Sequence, residues 1–388
     1  MVIRSRTFIS MVILAIIAPS LAAQTPAEEA QLHLAKARTL AGMEFLTTEE
    51  LQCNELGAGD PYAVSQKEDR VTPTKVFDNL YYIGTKSVGS WVVKSSSGLI
   101  LINALHTGWV NSTLLPGFKK LGLNPADVTY VIVTQGEGDH FGGAKYFQDK
   151  YDAQVVMSSA DWDWLARTTS GRGGRGRAGT DSTGRSGGRG TGSNPGQGGG
   201  MGGRGGFGGG RGGGGGRGGG GGGGGGFGGA GGGRSAAPRS DDVDDEPRRG
   251  QTAIDGQTFT VGDVTVTVLL TPSYTPGSLS VLIPVTDHGE AHVAALLGAT
   301  EIPRSNGMKT DYISSAAHLA SAAMAAHVDV ELNSRPFVDN AIARMDSLSH
   351  AKPGARNPFI IGAEGFQRYV GMIGECGWVN LLHPREAN

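Results

Sequence analysis

A single glycine-rich tract limits what this chain can fold into. Residues 171–233 hold 40 of the chain's 66 glycines in 63 positions, so the other 325 residues contain 26, or about 8%. That remainder is ordinary, since roughly 7% of residues in globular proteins are glycine. The tract lacks the three-residue period of collagen, and it has almost no apolar side chain to offset the ~1–2 kcal/mol per residue that ordering costs. We therefore predict a disordered Gly/Arg-rich insertion over residues 171–250, with folded segments on either side.

The overall charge gives no reason to expect a nucleic-acid or membrane partner. The formal net charge is −2, which creates no field that would attract phosphate or anionic lipid. Residues 171–240 hold ten arginines and one acid, and an acidic run follows at 241–246. We interpret the two runs as opposite charges within one solvated segment. An RGG-type nucleic-acid-binding segment is the alternative.

The N-terminus has the pattern of a secretory signal peptide over residues 1–23. Arg4 and Arg6 precede an apolar run at 8–18, and small residues at 20–23 suit cleavage. A short membrane anchor is the alternative, although the run is shorter than the ~20 residues that a spanning helix needs. We therefore predict an exported protein, periplasmic or secreted, without stable membrane insertion.

The chain has two cysteines, Cys53 and Cys376. An oxidising compartment permits a disulfide between them, but their separation in sequence carries no information about their distance in space. Buried free thiols are the interpretation that we favour, and a disulfide is the alternative.

Strand-like and helix-like segments alternate outside the glycine tract. Strands are predicted at 76–83, 90–93, 99–102, 128–133, 154–157, 257–260, 264–270, 279–285, 292–297 and 328–332. Helices are predicted at 27–51, 111–120, 143–151, 159–166, 311–326, 337–349 and 363–382. Such alternation is typical of a layered α/β protein. We place a helical and irregular N-terminal extension at 24–74, and the two halves of one domain at 75–170 and 251–388.

The most informative stretch is TQGEGDHFGG at residues 134–143. It directly follows the apolar run 128–133, which is typical of a strand buried on both faces. Polar residues at the end of such a strand are placed for a site rather than for a core. The stretch resembles the H-x-H-x-D-H motif, followed by G-G, of the metallo-β-lactamase superfamily. Two later blocks resemble that family in order and spacing: LTPSYTPGS at 270–278 resembles its T-P-G-H-T-P-G-S, and NSRP at 333–336 resembles its S-N-H segment.

The resemblance implies a four-layer αββα sandwich and a metal-dependent hydrolase. It is closest to the exported branch that includes one subclass of true metallo-β-lactamases. The family binds its first zinc through three histidines, whose positions here hold Gln135, Glu137 and Tyr274. It binds its second zinc through an aspartate and two histidines, whose positions here hold Asp139, His140 and Arg335. Asn103 also stands where the family usually has an aspartate.

These replacements change what the site can bind. Gln135 offers a neutral amide oxygen, a weak ligand for zinc, whereas Glu137 offers a carboxylate. Tyr274 can ligate only as a phenolate, and the free pKa of tyrosine is about 10. Arg335 cannot ligate a metal because it stays protonated, but it can pair with Asp139.

The charges in the motif favour one cation over two. Glu137, Asp139 and Arg335 sum to a charge of −1, which one divalent ion would change to +1 and two ions to +3. We predict one zinc ion, with manganese as a competitor because the ligands are rich in oxygen, and with no functional metal as the alternative. The predicted metal-ligating residues are Gln135, Glu137, Asp139 and His140.

The predicted catalytic residues are Asp139, Arg335 and Tyr274. Asp139 would orient an attacking water, and Arg335 would bind a substrate carboxylate or the developing oxyanion. The substrate would be a small molecule with a β-lactam, lactone or ester group. Because four of the five ligand histidines are replaced, a catalytically inactive relative that acts as a binding protein is the alternative. His106 follows a predicted strand and could approach the same pocket, and the oligomeric state is left open.

Overall fold

The computed structural model describes residues 25–53, 69–173, 246–298, 301–352 and 354–383. The predicted signal peptide and most of the predicted insertion lie outside these ranges. The helices are α1 (Pro26–Ala41), α2 (Leu46–Gln52), α3 (Leu115–Lys120), α4 (Gly138–Phe141), α5 (Ala144–Tyr151), α6 (Ser159–Gly173), α7 (Asn306–Ala325), α8 (Ala341–Ser349) and α9 (Gly362–Leu382). The strands are β1 (Thr74–Lys75), β2 (Leu80–Gly84), β3 (Gly89–Lys94), β4 (Leu99–Ile102), β5 (Val128–Ile132), β6 (Gln154–Ser158), β7 (Gln251–Ala253), β8 (Thr258–Val261), β9 (Val264–Leu270), β10 (Leu279–Asp287), β11 (Glu290–Leu297) and β12 (Val330–Asn333). Within the described ranges, no helix is both long enough and apolar enough to cross a membrane.

The strands form two sheets. The first has seven strands in the order β1-β2-β3-β4-β5-β6-β7, antiparallel from β1 to β4 and parallel from β4 to β7. The second has five strands in the order β12-β11-β10-β9-β8, in which β11 and β12 are parallel and the other pairs antiparallel. Strand β7 follows the Gly/Arg tract in sequence and still pairs with β6. The first sheet therefore draws on chain from both sides of the tract.

Both faces of each sheet are buried, and the alternation of side chains along a strand decides which layer each residue enters. In β3, Trp91 and Val93 join the cluster between the sheets, while Val92 joins the cluster under the outer helices. In β10, Val281 faces the layer between the sheets and Leu282 faces α7 and α9. Helices α3 and α5 cover the outer face of the first sheet. The order helix, sheet, sheet, helix confirms the predicted four-layer αββα sandwich.

Two predicted helices are shorter than their sequence patterns indicate. The helix predicted at 27–51 is divided into α1 and α2 at Gly42, whose φ is 54°. The helix predicted at 337–349 begins only at Ala341, because the preceding Asn340 has a left-handed backbone with φ of 62°. In both places a residue that tolerates positive φ ends the regular backbone.

The prediction of a strand at 76–83 is wrong for its first half, since β2 begins at Leu80. Asp78 and Asn79 turn the chain there, as turn-forming residues do. The Asn79 side chain accepts a hydrogen bond from Thr286 N–H and donates one to the Pro284 carbonyl. The turn is thereby tied to β10, and pairing in the first sheet resumes at β2.

A disulfide joins the N-terminal helices to α9. It links Cys53, at the end of α2, with Cys376 in α9, so the interpretation of two free thiols is wrong. Only the folding of α2 against α9 brings these residues together, and the sequence gives no sign of it. Thr48 in α2 also donates a buried hydrogen bond to the Val338 carbonyl at 2.7 Å. The N-terminal helices thus contact both α9 and the loop that follows β12.

Candidate functional site

The site is built around residues 133–137, which follow β5 and which we call site loop 1, and around the short helix α4. Asn103, at the end of β4, accepts hydrogen bonds from the backbone N–H and the hydroxyl of Thr134 at 2.9 and 3.0 Å. The buried His140 places Nδ1 3.5 Å from the same hydroxyl. Because that hydroxyl donates to Asn103, its oxygen is left to accept from Nδ1–H. The lone pair of His140 is therefore on Nε2, which lies 2.6 Å from Gln135 Nε2.

The four residues that the sequence predicts as metal ligands lie together. The ligand atoms of Glu137, Asp139 and His140 are all within 4.8 Å of one another, and Asp139 Oδ1 is 3.7 Å from His140 Nε2. Gln135 Nε2 is 3.4 Å from Glu137 Oε2. Gln135 Oε1 is buried and has no hydrogen-bond partner among the described residues. The cluster thus offers two carboxylates, one imidazole nitrogen and one unpaired amide oxygen.

Arg335 enters the cluster from the loop after β12. Its Nη1 donates to Asp139 Oδ2 at 2.7 Å, which is the pairing that the sequence predicts. Its Nη2 is 3.7 Å from Glu137 Oε2, and its Nε is 3.0 Å from Glu301 Oε1. The Arg335 backbone N–H donates to Asn333 Oδ1 at 2.8 Å, which fixes the start of the side chain. One buried guanidinium therefore lies within ion-pair distance of three carboxylates.

Glu301 was missed by sequence reasoning. It comes four residues after the end of β11, at the same kind of strand end that drew attention to site loop 1. Nothing in the motif of the resembled family marks this position, so only its place after a strand could have indicated it.

Burial and charge set the ionisation of the cluster. Burial and the neighbouring Asp139 raise the pKa of Glu137 to about 8. Burial would also raise the pKa of Asp139, but the adjacent charge of Arg335 and its hydrogen bond hold that pKa well below its usual range. Burial lowers the pKa of His140 to about 3, so the imidazole is neutral at neutral pH. The cluster holds more acid than its arginine neutralises.

Tyr274 lies on residues 271–278 between β9 and β10, which we call site loop 2. Its side chain is 36% exposed, so it stands at the rim. Burial of its inner part, with the negative charges of Glu137 and Glu301, raises the pKa of Tyr274 to about 12. The phenol therefore keeps its proton at neutral pH. In that form it can donate a hydrogen bond but cannot ligate a metal.

Asp161 is a second residue that sequence reasoning missed. It lies near the start of α6, is 1% exposed, and accepts hydrogen bonds from both site loops. Burial raises its pKa to about 6, although hydrogen bonds from Thr275, Gly136 and Gly277 favour the ionised form. The sequence offers only a weak signal, which is an acid at the start of a helix directly after a buried strand.

His106 lies at the edge of the site. A side-chain carbon added to Gly138 would be 3.9 Å from His106 Nδ1, so the ring borders α4. The same ring packs edge-to-face against Trp109, with 4.6 Å between the ring centroids. The sequence-based expectation that His106 could approach the pocket agrees with this placement.

Known proteins with a similar sequence or fold belong to the family that the site motif resembles. The family model of the metallo-beta-lactamase superfamily matches residues 83–288, which is more than half of the chain. The chain belongs to the metallo-β-lactamase superfamily. Among curated proteins no match is found.

Solved structures of this superfamily share the fold at low sequence identity. A subclass B3 metallo-beta-lactamase of Bradyrhizobium japonicum, BJP-1, has a TM-score of 0.52 and 21% identity, covering 79% of this chain and 92% of its own. The native FEZ-1 metallo-beta-lactamase from Legionella gormanii has a TM-score of 0.52 and 18% identity, covering 79% and 94%. These likenesses establish the metallo-β-lactamase fold. At this level of identity they say nothing of the altered residues of the site.

Proposed function

We propose that this chain is a metal-dependent hydrolase that holds one divalent cation at Glu137, Asp139 and His140. The main support for the proposal is that these three ligand-type side chains lie within 4.8 Å of one another, while Arg335 is bonded to Asp139 Oδ2. Gln135 is the assisting ligand, since its amide oxygen is buried and unpaired within the described part of the chain.

The residues fit one cation in charge and in chemistry. With all three carboxylates ionised, Glu137, Asp139 and Glu301 leave two negative charges beyond the Arg335 guanidinium, which one divalent ion would balance. Cation binding would displace the proton that Glu137, with its pKa raised to about 8, keeps at neutral pH. Zinc accepts the neutral nitrogen of His140 and carboxylate oxygens alike. Manganese competes with zinc here because the set contains more oxygen than nitrogen.

A second cation does not fit. In the resembled family the aspartate is a ligand of the second zinc, but here Asp139 Oδ2 accepts from Arg335 at 2.7 Å. Two divalent ions would also give the cluster a net positive charge beside a buried guanidinium, which like-charge repulsion disfavours. We infer that Arg335 supplies the fixed positive charge that a second ion would otherwise supply.

Asp139, Tyr274 and Arg335 would each have a separate role beside the cation. When bound, a divalent cation supplies Lewis acidity for hydrolysis. Asp139 Oδ1 is oriented by the bond of its other oxygen to Arg335, and it can accept a hydrogen bond from an attacking water and so orient it. From the rim, the phenol O–H of Tyr274 can donate a hydrogen bond to an oxygen of the substrate. Arg335 already pairs with three carboxylates of the chain. We therefore propose that it keeps Asp139 ionised and does not bind a substrate carboxylate.

We place the protein outside the cytoplasm and give it a small-molecule substrate with a β-lactam, lactone or ester group. The signal-peptide pattern at residues 1–23 supports export. The Cys53–Cys376 disulfide also supports it, because such bonds persist in oxidising compartments. The net charge gives no reason to add a nucleic-acid partner.

A non-catalytic binding protein is the second candidate. The observation that favours it is the ion pair between Arg335 and Asp139, which gives the most buried acid of the cluster a partner without any metal. In that case the cluster would be a polar anchor for a ligand.

Hydrolysis measurements on the purified chain separate the two candidates. The chain lacking residues 1–23 is incubated with Zn²⁺ or Mn²⁺ and assayed against a chromogenic β-lactam, a lactone and an ester panel. We expect cation-dependent turnover of one substrate class, lost in Asp139→Ala and retained in Asp163→Ala, which removes an exposed acid. Absence of turnover with both ions and all substrate classes would contradict the hydrolase proposal and leave the binding protein as the remaining candidate.

A further inference from the structure

The carboxylate of Asp161 lies between the two loops that carry the site. Site loop 1 provides Gln135 and Glu137, and site loop 2 provides Tyr274. Asp161 belongs to neither loop, since it is the third residue of α6. Its position on a helix that follows the buried strand β6 gives it a rigid base.

Both oxygens of Asp161 accept hydrogen bonds from the site loops. Oδ2 accepts from Gly136 N–H in site loop 1 at 2.7 Å and from the Thr275 hydroxyl in site loop 2 at 2.8 Å. Oδ1 accepts from Gly277 N–H in site loop 2 at 2.9 Å. The Asp161 backbone N–H donates to Ser158 Oγ at 3.1 Å, which anchors the residue to the end of β6. Three donors from two loops therefore converge on one buried carboxylate.

The approach requires a glycine at position 277 and is eased by the glycine at position 136. A side-chain carbon at Gly277 would lie 2.7 Å from Asp161 Cγ, closer than non-bonded carbons come. At Gly136 the same added carbon would lie 3.3 Å from Asp161 Cγ, which is also tight. Gly136 stands between Gln135 and Glu137, so the contact fixes the backbone from which both side chains extend.

We propose that Asp161 is a positioning residue that holds site loop 1 and site loop 2 in one arrangement and so sets the geometry of the cation site. Its effect on cation binding rests on the proposed function, whereas its effect on the loops does not. Removing its charge leaves two backbone N–H groups and one hydroxyl with a weaker acceptor. The bond from Leu279 N–H to the Thr134 carbonyl still joins the bases of the two loops at 2.7 Å. Gln135, Glu137 and Tyr274, however, lose the contacts through which Asp161 holds their backbones together.

Amide hydrogen exchange in cation-free protein tests the proposal without reference to activity. In the wild-type chain we expect the amides of Gly136 and Gly277 to be protected. In Asp161→Asn we expect both to exchange about ten-fold faster or more, while amides of β3 keep their wild-type rates. Asp163→Asn is the matched control, because it makes the same change two residues later at an exposed acid and should leave both loops protected. Unchanged protection of Gly136 and Gly277 in Asp161→Asn would overturn the proposal.

A second pair of variants keeps the test decisive if Asp161→Asn fails to fold. Thr275→Val keeps the side-chain shape and removes one donor to Asp161, and Thr275→Ser keeps the hydroxyl. We expect faster exchange at Gly277 in Thr275→Val and wild-type exchange in Thr275→Ser. Equal exchange in the two variants would contradict the inference.

Cation affinity, measured by titration with Zn²⁺ and with Mn²⁺, provides the second readout. Residues that orient metal ligands typically contribute about 10- to 100-fold in affinity, and we expect a loss of that size in Asp161→Asn but not in Asp163→Asn. If wild-type protein binds no cation, the proposed function fails and the exchange data alone decide the role of Asp161. If exchange rises while affinity is unchanged, Asp161 holds the loops without setting the site, and the proposal is overturned.

Discussion

Arg335 Nη1 lies 2.7 Å from Asp139 Oδ2, and both side chains are almost completely buried. The two residues are 196 positions apart in sequence, one in α4 and the other in the loop after β12. Charge-assisted contacts of this length are among the stronger hydrogen bonds in proteins. The pair places a permanent positive charge beside the candidate cation site.

Arg335→Ala tests the dependence of the site on that charge. The variant leaves Asp139, Glu137 and Glu301 without their counter-ion, and removing one member of a buried ion pair typically costs ~3–5 kcal/mol. We expect a large fall in melting temperature that added Zn²⁺ or Mn²⁺ partly reverses, as thermal denaturation will measure. Arg249→Ala, which removes an exposed ion pair with Asp163, should have little effect in either condition. A loss that neither ion reverses would contradict cation binding at these acids.

Tyr274→Phe tests the role of the phenol. The variant removes the O–H and keeps the ring, so it should leave cation affinity unchanged, because a phenol whose pKa is raised to about 12 is not a ligand. We expect kcat to fall about 10- to 100-fold with little change in KM, as for loss of a donor to a developing charge. Steady-state kinetics and cation titration on the same preparation check both expectations. A loss of cation affinity would instead make Tyr274 a ligand.

The disulfide should contribute strongly to stability. It closes a loop of 323 residues in sequence separation between Cys53 and Cys376, and native disulfides commonly contribute ~2–4 kcal/mol. We expect the double variant with serine at both positions to have a free energy of unfolding, measured by chemical denaturation, that is lower by that amount, with the two single variants close to it. Wild-type stability in the double variant would show that contacts of α2 such as Thr48 to Val338 suffice.

A buried acid pair outside the site should make stability depend on pH. Glu331 Oε2 accepts from Arg344 at 2.9 Å, whereas Glu331 Oε1 and Asp339 Oδ2 are buried without partners among the described residues. Burial raises the pKa of Asp339 to about 6 despite the nearby Arg344. Since the folded pKa exceeds the unfolded value, this group favours folding fully at low pH. That contribution is lost as the pH rises through about 6.

Asp339→Asn is the variant that tests this pH dependence. Between pH 4 and pH 7 we expect the wild-type free energy of unfolding to fall by on the order of 2 kcal/mol through this group. The slope should be much smaller in Asp339→Asn, which keeps the oxygen that accepts from Ala341 N–H. Asp346→Asn, at an exposed acid of α8, should retain the wild-type slope. Identical slopes in wild type and Asp339→Asn would refute the account.

The sequence predicts much of the fold because alternation and turn signals are local. The strands that pair across short turns were placed within a few residues, and the motif at 134–143 indicated the site loop and its four candidate ligands. β7 was missed, because its three residues pair with β6 only after the intervening tract. Positive φ at Gly42 ends α1 and at Asn340 delays the start of α8, and composition signals such backbone conformations only weakly.

The parts of the site that the sequence does not predict depend on contacts between segments that are distant in sequence. Glu301 and Asp161 are ordinary acids in sequence, and their roles arise only when β11 and α6 bring them to Arg335 and to the site loops. The disulfide depends on the packing of α2 against α9. By contrast, the pairing of Arg335 with Asp139 could be predicted, because the resembled motif places both at one site.

Cation stoichiometry tests the central claim most directly. The chain without residues 1–23 is dialysed against excess Zn²⁺ and then against cation-free buffer, and the bound metal per chain is measured by elemental analysis. We predict one zinc ion per chain, lost in Asp139→Ala and retained in Asp163→Ala. Two ions per chain would contradict the assignment of Arg335 as the second positive charge, and no retained ion would contradict the cation site itself.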